Sequence, residues 1–224
     1  MTPDDWSAVR LSVQVAACAV ALGLPLAVPL AYLLARYRGA GKWLIETAVN
    51  LPLVLPPVVT GYALLVLFGR QGLLGSALER GLGLRVVFTW YGAALAAAVV
   101  SFPLMVRALR LAFAGVDPRL PQLAETLGAT PLDAFATVTL PLAWRGVLAG
   151  AVLGFARSLG EFGATILVAG NIVGQTQTIP LAIYSQLNRP DGVEHAWPLV
   201  VASVVLACAA LAASEWLERS REAA

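Results

Sequence analysis

Charged side chains are scarce in this chain of 224 residues. Asp, Glu, Lys and Arg make up 12% of it, whereas hydrophobic residues make up 59%. So few polar side chains cannot cover the surface of a water-soluble domain, which indicates an integral membrane protein in contact with the lipid bilayer. The net charge of +2 is small and the basic residues are scattered, so we predict no nucleic-acid partner.

The sequence also has little metal-binding or catalytic chemistry. His195 is its one histidine, and its two cysteines, Cys18 and Cys208, lie in apolar runs. We therefore predict no metal site and no disulfide framework. The chain has no Gly-x-Ser-x-Gly elbow, no His-Glu-x-x-His pair and no intramembrane aspartate pair. An intramembrane enzyme is accordingly a remote alternative.

A nucleotide-binding loop is missing as well. The string Gly39-Ala40-Gly41-Lys42 resembles part of a P-loop, but Trp43 follows it where Ser or Thr belongs, and Arg36 stands where the first glycine belongs. We predict that this chain binds no cofactor and is not itself an enzyme.

Five apolar runs are long enough to cross about 30 Å of hydrocarbon, which takes roughly 20 helical residues. They are residues 11–35, 47–68, 88–106, 146–169 and 196–214. Tryptophan, which favours the membrane interface, lies near the ends of the runs: Trp6, Trp43, Trp90, Trp144, Trp197 and Trp216. The pattern predicts an all-α polytopic membrane protein of one domain, with about five spanning helices.

The loop charges predict the orientation, because Lys and Arg near span ends favour the cytoplasm. One set of loops holds nine basic residues: Arg36, Arg38, Lys42, Arg107, Arg110, Arg119, Arg145, Arg219 and Arg221. The other holds five: Arg10, Arg70, Arg80, Arg85 and Arg189. We expect the N-terminus outside, the C-terminus in the cytoplasm, and residues 117–141 on the cytoplasmic side.

Residues 117–141 interrupt the apolar sequence with a polar segment. Asp117-Pro118 predicts the start of a short helix that Gly128 ends. Thr130-Pro131, with Asp133 three residues after the threonine, predicts a second short helix that Leu140-Pro141 ends. Each helix exposes an apolar stripe, suited either to lipid headgroups or to a groove on a partner protein.

This segment resembles the cytoplasmic signature loop of permease subunits of binding-protein-dependent ABC importers. The resemblance rests on the spacing of Gly128, Val138 and Leu140-Pro141; the family's opening Glu-Ala-Ala is replaced by Gln122, Leu123 and Ala124. In that family the loop is a coupling helix that docks on an ATP-hydrolysing subunit. The implied ATPase-coupling residues are Gln122, Leu123, Ala124, Gly128, Ala129, Val138, Leu140 and Pro141.

The resemblance extends over residues 7–215 and implies a type I ABC importer transmembrane domain in the bacterial cytoplasmic (inner) membrane. The implied partners are a second copy of the chain, two cytoplasmic ATP-binding subunits, and a periplasmic or extracellular oxyanion-binding protein. ATP and Mg would be bound by the ATP-binding subunits. The missing glutamate puts in doubt a salt bridge to the ATPase.

Two charges lie inside the fourth predicted span. Gly146, Gly150 and Gly154 recur at four-residue steps, which lets helices approach closely. On a continuous helix Arg157 and Glu161 fall within about 80° of that glycine face, so we expect them to face protein. They are either a structural ion pair or an oxyanion-attracting arginine beside a gating carboxylate.

The second predicted span is interrupted by helix-breaking residues. Asn50, Pro52, Pro56-Pro57, Thr60 and Gly61 disturb the backbone hydrogen bonds where water is absent. The disturbance indicates either a packing kink or a pathway lining, and Thr60 is a pathway or gate candidate.

Two stretches resemble permeases for tetrahedral oxyanions: residues 51–62, LPLVLPPVVTGY, and residues 157–185, beginning RSLGEFGATILVAGN. Molybdate permeases are the most similar, and sulfate/thiosulfate or tungstate permeases are the alternatives. Residues 171–179 are expected at the outer mouth, as hydrogen-bond donors to an arriving dianion or as a solvated loop.

Overall fold

The computed structural model describes residues 1–219, apart from the side chains of residue 214 and residues 216–219. Arg221 and the side chains of Trp216 and Arg219 thus lie outside the described residues. Within residues 1–219 every regular element is helical. The α-helices are α1 Pro3–Arg36, α2 Lys42–Val54, α3 Pro57–Phe68, α4 Leu73–Leu82, α5 Trp90–Ala114, α6 Arg119–Thr126, α7 Pro131–Ala134, α8 Leu140–Leu159, α9 Gly163–Ala169, α10 Ile179–Leu187 and α11 Gly192–Arg219, with a π turn, Phe135–Thr139, before α8.

Helix α5 lies at the centre of the fold and packs against α1 and α8. The small side chains on its faces let the backbones approach, and van der Waals packing of this kind stabilises helix association in a membrane. Its fully buried residues include Ala93, Ala94, Ala96 and Ala97. The facing surface of α1 is equally small, with Ala16, Ala19, Ala27 and Ala31 fully buried.

Four helices of the described chain are long and apolar enough to span a membrane: α1, α5, the continuous helix Pro131–Leu159, and α11. The pair α2 and α3 passes the same test as one span bent by 106°. The total of up to five confirms the predicted architecture. The structure adds α4 and α10, which are too short to cross, between spans.

The fourth predicted span, residues 146–169, is wrong as a single helix. The helix ends at Leu159, and α9 begins only at Gly163. The helix instead begins earlier than the predicted residue 146, because Pro131–Leu159 is one helix of 29 residues. Hydropathy misses this break because Gly160 and Phe162 are as apolar as the helical residues around them.

Candidate functional site

The first element of the site is the bend between α2 and α3. Pro56 and Pro57 have no N–H to donate, and a residue before proline is driven out of the helical region. Leu55 accordingly has ψ 142, which is extended backbone. The next turn starts afresh at Val59, whose N–H donates to the Pro56 carbonyl at 2.8 Å.

The second element is the break between α8 and α9, which contains a buried carboxylate. Glu161 is 3% exposed and lies outside both helices. Its Oε2 is 2.9 Å from Nη1 of Arg157, and its Oε1 accepts a hydrogen bond of 2.9 Å from the N–H of Ala164. The carboxylate thus pairs with the end of α8 and caps the start of α9. The expectation that Arg157 and Glu161 share one continuous helix is therefore wrong, although the pair itself forms.

The two breaks lie against each other. A Cβ built on Gly163 would be 2.9 Å from Cβ of Pro57, and one built on Gly61 would be 2.7 Å from Cα of Ala164. Backbone approach this close needs glycine at both positions. Next to Gly61, Thr60 is buried, and its hydroxyl has no hydrogen-bond partner in the described part of the chain.

The glycine stripe of α8 lies against α5. Gly146, Gly150 and Gly154 are buried. A Cβ on Gly154 would be 2.5 Å from Cγ of Met105, and one on Gly150 would overlap Cδ1 of Leu109. These glycines fix α8 to the central helix, so the break at Glu161 begins from a firmly packed helix.

Polar contacts that the sequence reasoning missed join α2 to α5. Arg110 forms an ion pair with Glu46, and Nε of Arg107 donates to Oδ1 of Asn50 at 2.7 Å. Lys42 Nζ lies 3.9 Å from the same Glu46 carboxylate. The signal available in the sequence was Glu46, an acidic residue immediately before the apolar run 47–68, on the same predicted cytoplasmic side as Arg107 and Arg110.

The turn between α9 and α10 is held by its own polar side chains. Gln177 Nε2 donates to Oδ1 of Asn171 at 2.9 Å, and Asn171 Nδ2 donates to Oγ of Ser185 at 2.7 Å. The Thr176 hydroxyl accepts from the N–H of Ile172 at 3.0 Å. Thr176 and Gln177 are buried, whereas residues 172–175 are exposed. The expectation of a solvated loop holds only for that exposed part.

The third element of the site is the short helix α6. The Asp117 carboxylate accepts from the N–H of Arg119 at 2.9 Å, as a start signal should. At the other end Gly128 has φ 97 and donates to Glu125 O, while Ala129 donates to Ala124 O, both at 3.0 Å. This pairing is a Schellman motif, which favours glycine at the left-handed position.

Helix α6 and its continuation expose an apolar surface. Leu123 is 59% exposed, Leu127 82% and Leu132 74%. Among the eight coupling candidates, Gln122, Leu123, Gly128 and Pro141 are exposed, and the remaining four, Ala124, Ala129, Val138 and Leu140, are half-buried.

The predicted second short helix is not a separate element. Thr130 and Asp133 form the expected capping box, but Leu140-Pro141 does not end the helix. A π turn over Phe135–Thr139 leads directly into α8. Because the π turn already shifts the backbone hydrogen bonds before Pro141, the missing proline N–H falls in the first turn of α8, where it is tolerated.

The π turn is anchored to the scaffold by an aromatic cluster. The ring of Phe135 lies 4.8 Å from that of Tyr32 on α1 and 5.9 Å from that of Phe113 on α5, measured between centroids. Cζ of Arg36 lies 5.9 Å from the centroid of the Tyr32 ring, and Nη2 of Arg36 donates to the carbonyl of Val116 at 3.2 Å. Displacement of α6 and α7 would thus reach α1 and α5 through Phe135.

A family model described as "Binding-protein-dependent transport system inner membrane component" matches residues 23–222. This chain belongs to that family. It is a multi-pass permease subunit of the ABC importer class, with the all-helical fold of an importer transmembrane domain. The match covers both breaks, α6 and the π turn, so all three elements of the site lie within the family domain.

Relatives of known name agree with this assignment. The permease is 52% identical over 225 residues to the molybdenum transport system permease protein ModB of Escherichia coli (strain K12), covering 100% of this chain and 98% of the relative. It is 42% identical to a putative molybdenum transport system permease of Bacillus subtilis, covering 91% and 89%. A sulfate transport system permease, CysT of Salmonella typhimurium, is 38% identical, covering 81% and 64%.

Solved structures share the fold. A chain of a bacterial ABC transporter that imports the polysaccharide alginate superimposes with a TM-score of 0.70 at 17% identity, covering 99% of this permease and 80% of that chain. At an identity this low, the comparison supports a shared fold and nothing about substrate.

Proposed function

We propose that the permease moves a tetrahedral oxyanion across the bacterial inner membrane, and molybdate is the first candidate. The observation that carries the proposal is the 52% identity over the whole chain to a molybdenum transport permease. The similarity to a sulfate permease, at 38% identity, makes sulfate the second candidate. Tungstate has the same shape and charge as molybdate and is the third.

The contact between the two broken spans is the proposed pathway element. The Arg157 side chain is 29% exposed, whereas that of Glu161 is 2% exposed. We infer that Glu161 holds the break in shape while Arg157 offers its remaining N–H groups to the passing anion. The buried Thr60 hydroxyl, which has no hydrogen-bond partner among the described residues, is the candidate neutral donor, because its neighbour Gly61 lies against Ala164.

Energy for transport comes, in this proposal, from a separate ATP-binding subunit that holds ATP and Mg. The exposed leucines of α6 are the docking surface, and Phe135 passes the motion to α1 and α5. Two permease copies, two such subunits and an external oxyanion-binding protein complete the transporter, with the N-terminus outside and the C-terminus in the cytoplasm. Closure of the ATP-binding pair would switch the spans between outward and inward access.

Uptake into sealed vesicles tests the proposal. The permease is reconstituted with its ATP-binding subunit and its binding protein, and ATP-driven uptake of molybdate is measured with tungstate and sulfate as competitors. We expect molybdate uptake that requires both partners and resists excess sulfate. Uptake dominated by sulfate would replace the first candidate with the second, and the absence of any oxyanion flux would contradict the proposal.

A further inference from the structure

We group two pockets that lie along α1 and α5 into one groove, whose lower section is also lined by Ala48, Val49 and Pro52 of α2. Its upper section is a pocket of about 700 Å³ lined by residues at the start of both helices and by the turn after α9, among them Trp6, Arg10, Gln14, Trp90 and Gln175. Its lower section is a pocket of about 430 Å³ that includes Leu22, Leu26, Ala98 and Phe102. We call the two together the α1–α5 groove.

Helix geometry places the two sections on one line. Leu11 lines the upper section and Leu22 the lower one, and eleven residues make about three helical turns, so both face the same way. On α5 the same spacing separates Tyr91 in the upper section from Phe102 in the lower one. At 1.5 Å per residue the sections lie about 16 Å apart, close to the depth of one bilayer leaflet.

The upper section offers hydrogen-bond donors and no negative charge. Arg10, Gln14 and Gln175 make no side-chain hydrogen bond or ion pair with any described residue, and the lining contains neither Asp nor Glu. Trp6, Arg10 and Gln14 follow at four-residue steps along α1, so they form one stripe. The indole of Trp6 is 62% exposed, as suits a side chain at the membrane interface.

The lower section is apolar throughout. Its lining comprises only aliphatic and aromatic side chains, glycine and Pro52. Leu22 is 49% exposed and Leu26 is 66% exposed, so the section opens towards the surroundings of the helices. The upper section offers a cation, amides and indoles, and the lower section offers an apolar surface about one leaflet deeper. This is the order of chemical groups along a phospholipid.

We propose that the α1–α5 groove binds a phospholipid, with the phosphodiester against Arg10 and Gln14 and an acyl chain along Leu22 and Leu26. A free phosphate or oxyanion would share the upper chemistry, but it would leave the lower section without a ligand. The bound lipid fixes the start of α1 against α5. The proposed lipid site does not depend on which anion is carried.

Native mass spectrometry of the purified transporter tests the proposal with phosphatidylglycerol as the probe. Arg10→Gln removes the cation, Arg10→Lys retains it, and Leu26→Trp fills the lower section from an exposed position. Arg70→Gln is the matched control, since Arg70 is an exposed arginine at another helix end. We expect at least a fivefold lower occupancy for Arg10→Gln and for Leu26→Trp, partial retention for Arg10→Lys, and no change for Arg70→Gln.

Competition separates the sources of the anionic group. Millimolar inorganic phosphate or molybdate should leave lipid occupancy unchanged, because neither can fill the lower section. Displacement by either anion would overturn the lipid assignment in favour of a free-anion site. Wild-type lipid occupancy in both Arg10→Gln and Leu26→Trp would also overturn it. So would an Arg10→Gln variant that binds lipid normally but no longer docks the external binding protein.

Discussion

Helices α5 and α2 both belong to predicted spans, yet they are held in the molecule in different ways. In the most apolar stretch of α5, 67% of the residues are buried, whereas α2 has no buried residue. Alanine, glycine and methionine contacts fix α5 on two sides. The ion pair from Arg110 and the hydrogen bond from Arg107 link α2 to α5, beside apolar contacts from the partly buried Ile45 and Val49.

The difference indicates a division of the permease into a rigid part and a part that moves. Helices α1, α5 and α8 meet through small side chains and form a scaffold with few alternative packings. The α2–α3 span breaks at Pro56 and the α8–α9 span breaks at Gly160, and the two breaks contact each other at Gly61 and Gly163. We expect the scaffold to resist change and the breaks to move during transport.

The largest effect should come from crowding the scaffold. Gly150→Leu places a side chain where Leu109 already lies, and overpacking of this kind costs about 3 kcal/mol. We expect a large loss of folded protein, measured as detergent-solubilised yield and thermal unfolding temperature. Gly160→Ala is the control, since nothing lies within 4 Å of a Cβ there. Equal stability of the two variants would contradict the tight packing of α8 on α5.

Removal of the buried carboxylate should come next. Glu161→Ala leaves Arg157 and the Ala164 N–H without their partner, at a cost of about 2 kcal/mol, reduced because Arg157 is 29% exposed. Glu161→Gln retains an acceptor for Ala164 and should fold nearly normally while transport falls about tenfold. Thermal unfolding and vesicle uptake measure the two effects. Normal uptake by Glu161→Gln would rule out both an essential ion pair and a gate.

Loss of the aromatic anchor should separate ATP hydrolysis from transport. Phe135→Ala removes the ring that contacts Tyr32 and Phe113, so movement of α6 reaches α1 and α5 only indirectly, through the backbone of α8. We expect the number of anions moved per ATP to fall about fivefold while the ATP-binding subunit still assembles, with partial recovery in Phe135→Leu. Uptake and phosphate release are measured on the same vesicles. A proportional fall in both would instead indicate a purely structural role.

The smallest effect should come from the link between α2 and α5. Glu46 and Arg110 have side chains 31% and 35% exposed, so a double-mutant cycle of Glu46→Gln and Arg110→Gln should give a coupling energy below about 1 kcal/mol. The same variants should speed amide exchange in α2 and leave α5 unchanged. A coupling energy of several kcal/mol would mean that α2 belongs to the scaffold.

Much of this division is visible in the sequence. The apolar runs predict the spans, Pro56-Pro57 predicts the first break, and Thr130 with Asp133 predicts a helix start. The second break is hidden because Gly160 and Phe162 read as ordinary membrane residues, although Glu161 marks an unusual position. Pro141 is ambiguous because proline both ends helices and begins them, and the sequence does not show that Phe135 packs against Tyr32 and Phe113.

Amide hydrogen exchange in the assembled transporter distinguishes a fixed scaffold from moving breaks. Amide exchange is compared between the nucleotide-free state and a state trapped with ATP bound. A fixed scaffold with moving breaks predicts changed exchange in residues 50–60 and 157–165, where the two spans break, and unchanged exchange in residues 93–109 of α5. Equal changes in all three regions, or changes confined to α5, would contradict it.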